Sequence, residues 1–178
     1  MTLQRLFTNF PRALAAACCA MACLAGCSSL SVSHLDSRPI VETAPTTIAM
    51  KFWRFTFTGA LSGNAYVIRG RATPVSADLP PWVDRLEELT VTAYLRDPAG
   101  NVLASMEKTY RAMPLGPDAA VPFEFVLSPA GKAAGNYGVS FGYKALYGSN
   151  TARTALGASG PPPAGSVYFA GEGAVLKD

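Results

Sequence analysis

Apolar and polar residues alternate with a period of two along much of the chain after residue 51. In the clearest run, within residues 52–58, Trp53, Phe55 and Phe57 fall on one face, and Arg54, Thr56 and Thr58 fall on the other. This alternation predicts a half-buried strand. Turn residues follow at 61–64, and residues 65–72 are predicted to form a second strand.

The next pattern predicts a hairpin. Residues 89–96 and residues 102–110 both alternate, and Asp97-Pro98-Ala99-Gly100-Asn101 lies between them. Pro98 fixes φ at the first central position of a type I turn, and Gly100 can take the left-handed conformation of a bulge. We therefore expect an antiparallel hairpin. The alternative is a solvent loop between unrelated strands.

Further strands are predicted towards the C-terminus. One covers residues 123–127, after Pro122, and another covers residues 137–147. In the longer run one face carries Tyr137, Val139, Phe141, Tyr143, Ala145 and Tyr147. The other face carries the small residues Gly138, Ser140 and Gly142 beside Lys144, so we expect another part of the chain to cover it. A last strand is expected over residues 167–176, with an interruption at 171–173.

About seven strands and no long amphipathic helix predict an all-β fold, an antiparallel β-sandwich. Over residues 51–147 the succession of an aromatic strand, a Pro-rich crossover, a hairpin and a Pro-Phe-x-Phe strand resembles the immunoglobulin- or fibronectin-like modules of bacterial envelope proteins. The resemblance is architectural, because the Cys–Trp–Cys core of immunoglobulin domains is absent. A small β-barrel is the alternative fold.

The first 27 residues have the three parts of an export signal: a basic start with Arg5 and Arg12, an apolar stretch over residues 13–25, and small residues before a cysteine. The apolar stretch is shorter than the ~20 residues that span a bilayer. Leu24-Ala25-Gly26-Cys27 resembles the lipobox of bacterial lipoproteins. The alternative is an ordinary secretory signal cut after a small residue.

The resemblance to lipoproteins implies cleavage between Gly26 and Cys27, a diacylglyceryl group on the Cys27 sulfur and usually an acylated amine. Two or three acyl chains make a durable membrane anchor, whereas one does not. By the same resemblance Ser28 favours transfer to the outer membrane. We expect the periplasmic face of that membrane, with display at the cell surface as the alternative.

These patterns divide the chain into a signal peptide (1–26), a lipidated flexible tether (27–50) and a sandwich domain (51–178). The tether is predicted because residues 28–49 are poor in aromatics and contain Pro39 and Pro45. An edge strand at residues 39–41 is the alternative there. Residues 148–165, rich in small residues and prolines, are expected to form a mobile loop or a contact element.

Composition limits the chemistry. All four cysteines, Cys18, Cys19, Cys23 and Cys27, lie in or beside the signal, so the processed chain has no thiol for a disulfide or a metal. Removing the signal also removes Arg5 and Arg12, which leaves 13 basic against 12 acidic residues. Such a balance does not favour a nucleic-acid partner.

Catalytic groups are scarce. The single histidine, His34, lies in the predicted tether, which argues against a triad, and no cofactor or metal is predicted. Asp84, Glu87 and Glu88 are interpreted as a solvated loop end rather than a Ca²⁺ site. Glu107 and Glu124 are open as a carboxylate pair or as partners in salt bridges. We therefore do not expect an enzyme.

The predicted function is that of a non-enzymatic structural or protein-interaction module, anchored through Cys27 and bound to an envelope protein partner. The alternative is a module that binds a glycan or a small apolar ligand. The candidate contact residues are Trp82, Tyr137, Tyr143 and Tyr147. Each also has a packing interpretation, since Trp82 could close an end of the core and the tyrosines could form the inner face of a sheet.

Overall fold

The alternation seen in the sequence becomes strand structure in a computed structural model, which describes residues 30–131, 135–150 and 167–176. One 3-10 helix, Ser76–Asp78, accompanies the strands within these ranges. The strands are β1 (Leu30–Ser31), β2 (Arg38–Pro39), β3 (Thr46–Ala49), β4 (Trp53–Ser62), β5 (Ala65–Pro74), β6 (Arg85–Arg96), β7 (Val102–Pro114), β8 (Val121–Leu127), β9 (Gly138–Gly148), β10 (Tyr168–Glu172) and β11 (Val175–Leu176).

Two antiparallel sheets contain most of these strands. The five-stranded sheet has the order β10-β9-β6-β7, with β2 also paired to β9, and the four-stranded sheet has the order β3-β4-β5-β8. β1 and β11 pair with each other. Over the described ranges the two sheets do not close into a barrel. The predicted β-sandwich is confirmed, and the barrel alternative is wrong.

Aromatic side chains fill the space between the sheets. The ring of Phe141, on β9, stacks on Phe55 at 4.7 Å between centroids, and it meets Phe57 and Phe123 edge-on or tilted at 5.3 Å each. The partners come from β4 and β8, so this cluster joins the two sheets. The alternation in β4 decides which of its residues take part, because Trp53, Phe55 and Phe57 all lie on its buried face.

The connections between strands follow an immunoglobulin-like order, as expected. β4 and β5 form one hairpin, the chain crosses to the hairpin β6–β7, returns to β8, and crosses again to β9 and β10. The first hairpin turns at Gly63, whose φ of +62° suits glycine. Successive hairpins, with the single strand β8 between two of them, thus alternate between the two layers and enclose one core.

The hairpin at Asp97–Asn101 forms as predicted. Gly100 has a φ of +89°, and its amide donates to the Asp97 carbonyl at 2.9 Å. The Asp97 side chain accepts hydrogen bonds from the Asn101 amide at 2.8 Å and from its side-chain nitrogen at 2.9 Å. The pairing register shifts between Leu95 and Arg96, beside the turn.

The predicted flexible tether over residues 27–50 is wrong where the structure describes it. β2 pairs with β9, and β3 pairs with β4, so residues 38–49 join one sheet and then the other. The amide of Ile40 donates to the Tyr137 carbonyl at 3.2 Å, and the Gly59 amide donates to the Val41 carbonyl at 3.2 Å. Backbone pairing and the buried Ile48 side chain fix this segment, despite its polar composition.

The N-terminal residues also cover part of the outer face of the five-stranded sheet. Val32 and Leu35 are buried against Tyr94, and Ala174 packs on the same cluster. The backbone of Gly173 passes so close to Gly142 that a Cβ there would lie 3.0 Å from it. The small-residue face of β9 is therefore covered, as expected from its sequence.

Three local points differ from the sequence pattern or concern residues outside the described ranges. One helical turn over residues 82–86, which the sequence also allows, does not form, because β6 begins at Arg85 and the short helix lies at Ser76–Asp78. The last strand is interrupted as expected, but the gap lies at Gly173 and Ala174, between β10 and β11, rather than at residues 171–173. The predicted mobile loop 148–165 lies outside the described residues from position 151 onward.

Candidate functional site

Two of the four predicted contact residues lie in the core. Tyr143 is 2% exposed and Tyr147 is 0% exposed, because both point from β9 towards the other sheet. The hydroxyl of Tyr143 donates to the Glu172 carboxylate at 3.1 Å. Rings buried to this degree cannot stack on a ligand, so the contact prediction is wrong for both and the packing interpretation holds.

The buried tyrosines are shifted towards the neutral form. Burial raises the pKa of Tyr143 above its usual value, and the nearby Glu172 carboxylate raises it further. Burial likewise raises the pKa of Tyr147, an effect that the indole of Trp53 partly offsets. Both hydroxyls are therefore neutral in the folded protein at ordinary pH, as parts of a packed core.

Trp82 and Tyr137 lie at opposite ends of the sandwich. The amide of Asp84 donates to the Gly148 carbonyl, which places Trp82 near the last residue of β9, whereas Tyr137 directly precedes the first. Eleven residues of strand separate the two ends by roughly 33 Å. Trp82 is 37% exposed, and at this distance it cannot share a binding platform with Tyr137.

Tyr137 lines a cavity of about 560 Å³, which we call the end cleft. It lies where the β4–β5 turn, the β6–β7 turn and the entry to β9 meet. Its lining includes Arg38, Glu42, Tyr66, Arg96, Tyr137 and Gly138. The rings of Tyr66 and Tyr137 meet edge to face at 5.6 Å, and the Tyr66 hydroxyl donates to the Gly135 carbonyl at 3.2 Å.

Arg96 forms the inner part of the end cleft and holds the N-terminal segment in place. It is 8% exposed, and its Nη1 donates to the Leu35 carbonyl at 3.1 Å and to the Ser140 hydroxyl at 3.0 Å. Its Nε donates to the Gly100 carbonyl at 3.3 Å. Among the described residues no carboxylate lies within ion-pair distance of this guanidinium, so neutral oxygens alone satisfy its buried donors.

The mouth of the end cleft is polar. Asp97 is part of it. Hydrogen bonds from Asn101, chiefly from its side chain and secondly from its backbone, hold the pKa of Asp97 below its usual value. Phenol rings next to a guanidinium and carboxylates can stack on a ligand and hydrogen-bond to it. The arrangement suits a small polar ligand with one flat or apolar face.

A second candidate site is the free side of β7, which we call the open edge. β7 spans thirteen residues and pairs with β6 along one side, and no strand of the described part of the chain pairs with its other side. Ser105, Glu107 and Thr109 are exposed on the outer face of this strand. An unpaired strand side is a template for another strand.

The sequence alone did not single out the open edge, because alternation does not tell which strand ends a sheet. One signal was present. β7 carries Glu107, Lys108 and Arg111 in close succession, and charges of this kind are how natural edge strands resist pairing with copies of themselves. The Lys108 ammonium lies 5.7 Å from the centre of the Phe125 ring, where the two sheets approach each other.

The acidic candidates do not converge. Glu124 forms a salt bridge with Arg69 at 2.6 Å on the four-stranded sheet, whereas Glu107 accepts a hydrogen bond from Thr92 at 3.2 Å on the five-stranded sheet. The interpretation as a carboxylate pair is thus wrong, and for Glu124 the salt-bridge alternative is confirmed. Within residues 30–131, 135–150 and 167–176 no three His, Cys, Asp or Glu side chains are grouped as metal ligands.

The predicted signal, Gly26 and Cys27 precede the described residues, so cleavage and lipidation remain predictions. In the part of the chain that the structure describes, none of the helices is both long and apolar enough to cross a bilayer. Comparison with known proteins adds no family: no family model, no curated protein and no solved structure matches this chain.

Proposed function

We propose that this chain is a lipid-anchored envelope lipoprotein whose sandwich binds a protein partner by strand addition along the open edge. The lipid is attached to Cys27, and the protein faces the periplasm from the outer membrane. Along the thirteen residues of β7, one side pairs with no strand among the described residues, and this observation carries the proposal.

Strand addition fits the chemistry of this edge. A partner segment that pairs with β7 would satisfy main-chain donors and acceptors that otherwise bond to water, while its alternate side chains contact the outer face. Glu107 and Arg111 are both exposed there. Two opposite charges four positions apart would favour a partner strand that presents the opposite charges at the matching register.

The anchor supports the same function. When a protein and its partner are both held at the same membrane, the effective concentration of one near the other is higher than in free solution. Leu24-Ala25-Gly26-Cys27 has the order of residues that lipoproteins use at their processing site. The proposal therefore joins a fixed location to a surface for pairing.

Site-specific crosslinking tests strand addition. A photoreactive amino acid is placed in turn at Ser105, Glu107 and Thr109, which lie two residues apart on one face of β7. If a partner strand pairs with the open edge, the crosslinked positions on the partner shift by two residues at each step, because paired strands share this period.

The control position is Val126, which is 46% exposed on the outer face of the four-stranded sheet. We expect no adduct there. Adducts of equal yield at Val126 and at the β7 positions, or partner positions without a two-residue step, would contradict strand addition.

The anchor has its own test. Labelling cells with radioactive palmitate should mark the wild-type protein and not the Cys27→Ser variant, since the sulfur carries the diacylglyceryl group. Mass spectrometry of the N-terminal peptide should show cleavage before Cys27. An unmodified N-terminus would contradict the anchor but would leave the open edge to be judged by crosslinking.

The end cleft supports a second candidate function, the binding of a glycan or a small ligand beside Tyr137. Calorimetric titration with envelope glycan fragments should show binding that Tyr137→Ala abolishes. The matched control is Trp82→Ala, which changes an exposed ring at the opposite end of the sandwich. Equal loss in both variants, or no heat with any fragment, would count against this function.

A further inference from the structure

An exposed apolar patch lies on the outer face of the five-stranded sheet, and we call it the outer apolar patch. Phe169 on β10 is 65% exposed and faces outward with its cross-strand neighbour Leu146 on β9, which is 37% exposed. Val175, on β11, is 52% exposed. Val175 directly follows Ala174, which packs on Tyr94 of the same outer face. Exposed large apolar side chains that adjoin one another in this way indicate a contact surface.

The patch has defined limits. The Phe169 ring leans along its own strand, and its tip lies 3.5 Å from where a Cβ on Gly171 would be. Lys144 pairs with Gly171 and is exposed, and Glu88 pairs with Leu146 at the opposite margin. The apolar side chains of the patch are thus bordered by Lys144 at one margin and by Glu88 at the other.

The outer apolar patch adjoins the place where the described chain begins. β11, which contains Val175, is the strand that pairs with Leu30–Ser31. Val32 and Leu35 cover the neighbouring part of the same outer face, around Tyr94. The N-terminal segment therefore enters the fold on the face that carries the patch.

The length of chain before Leu30 limits how far this face can lie from the anchor. Three residue steps separate Cys27 from Leu30, and a fully extended chain advances about 3.3–3.6 Å per step, so the two Cα atoms lie at most about 11 Å apart. A polar headgroup layer is of comparable thickness. A lipid on Cys27 therefore brings Leu30 to the bilayer surface.

We propose that the outer apolar patch rests on the bilayer and fixes the orientation of the sandwich on the membrane. The inference depends on the proposed lipid anchor and adds to it a second point of contact. Phe169 and Val175 enter the interface between headgroups and acyl chains, and Lys144 contacts anionic headgroups. β7 lies two strands away from β9 in the same sheet, and the backbone groups on its unpaired side point along the plane of the sheet rather than towards the bilayer, so a partner strand can still pair with the open edge.

The full lipidated protein in phosphatidylethanolamine–phosphatidylglycerol vesicles provides the test. The processed chain has no free thiol under the proposed modification, so Phe169→Cys introduces a single site for an environment-sensitive fluorophore. Val126→Cys, an exposed apolar position on the other sheet, is the matched control. Leu146→Cys is a second position within the patch.

We expect nitroxide-labelled lipids to quench the labels at positions 169 and 146 at least twofold more than the label at 126, and aqueous iodide to show the reverse order. Mass spectrometry of the same preparation reports whether Cys27 carries lipid. A lipidated protein with labels at 169 and 126 equally open to iodide overturns the orientation but not the anchor. An unlipidated N-terminus overturns both.

A second copy of the chain is the competing occupant of the patch. In that case the label at position 169 would be shielded from iodide in a way that depends on protein concentration, in detergent as well as in vesicles, without quenching by labelled lipids. That result would overturn the inference.

Discussion

The two long sides of the sandwich are built differently. On one side the N-terminal segment pairs with β9 through β2 and with β4 through β3, and so links both sheets. On the other side β7 ends its sheet, and within the described residues nothing pairs with its outer edge. We call the first the closed side, in contrast to the open edge.

The difference shows that sequence pattern and structural role can diverge. The closed side is formed by a polar, proline-broken stretch with little periodicity, whereas the open edge belongs to a strand with clear alternation. Pairing partners, rather than intrinsic propensity, decide whether short segments become strands. A strand that is hydrogen-bonded to its hairpin partner along one side can still pair with another molecule along its other side.

The largest expected effect comes from the closed side. Ile48→Ala removes a side chain that is 1% exposed and should lower the free energy of unfolding by roughly 2–5 kcal/mol, because it leaves a cavity in the core. Urea unfolding of the chain from residue 28 onward measures this. Thr47→Ala, at the exposed neighbouring position, is the control, and an equally small effect of both would mean that residues 46–49 are not part of the fold.

The attachment of the N-terminal segment through Arg96 should be the next largest contribution. Arg96→Met leaves the Leu35 carbonyl and the Ser140 hydroxyl without their donor, at a cost of about 1–3 kcal/mol. Hydrogen exchange should also increase in residues 32–41.

The matched control for Arg96 is Arg69→Met. Its side chain is 65% exposed in its salt bridge with Glu124, so the loss should be less than about 1 kcal/mol. Equal losses in the two arginine variants would show that the contacts of Arg96 do not hold the segment.

Removing charge from the open edge should promote self-association. The double variant Glu107→Thr, Arg111→Thr keeps the net charge and leaves β7 with fewer groups that oppose edge-to-edge pairing. We expect a several-fold larger dimer fraction in sedimentation velocity. Arg54→Thr combined with Glu88→Thr changes strands that have neighbours on both sides. Equal dimerisation of the two double variants would mean that the edge is not responsible.

The smallest effect is expected at the turn next to the open edge. Because the folded pKa of Asp97 lies below its usual value of 3.8, its stabilising contribution is complete above that value and is lost as the pH falls through the lowered pKa. Asp97→Asn should therefore lower the urea midpoint at about pH 6 and less so at about pH 3.

Asp118→Asn, in an exposed loop, controls for the loss of one negative charge in this experiment. A destabilisation by Asp97→Asn that is the same at both pH values would indicate that the carboxylate charge does not matter at the turn.

Much of the fold was predictable because strong local signals agreed with one another. The alternation around Phe55, the Asp97–Asn101 turn and the long run in β9 all predicted elements that the structure contains. The small residues Ser140 and Gly142 correctly predicted a covered face. The covering segment was missed because Val32 and Leu35 follow no strand-like alternation within a largely polar stretch, and their burial depends on the distant Tyr94.

The candidate sites were less predictable. A row of aromatic residues along a strand does not reveal whether that face of the strand points into the core or into solvent. In the structure Tyr143 and Tyr147 are core residues. Tyr137 lines the end cleft because three turns meet there, which is a property of the topology. The open edge likewise depends on the order of strands within a sheet, information that no single segment contains.

The way the N-terminal segment is fastened has a mechanical consequence. With the proposed lipid on Cys27, any tension between the anchor and the body of the protein would be applied first to the short β1 strand and to the contacts of Arg96, before it reached the aromatic interior. A pull strong enough to break those contacts would release residues 30–37 and let the domain move away from the anchor, while β2 and β3 stayed paired with β9 and β4.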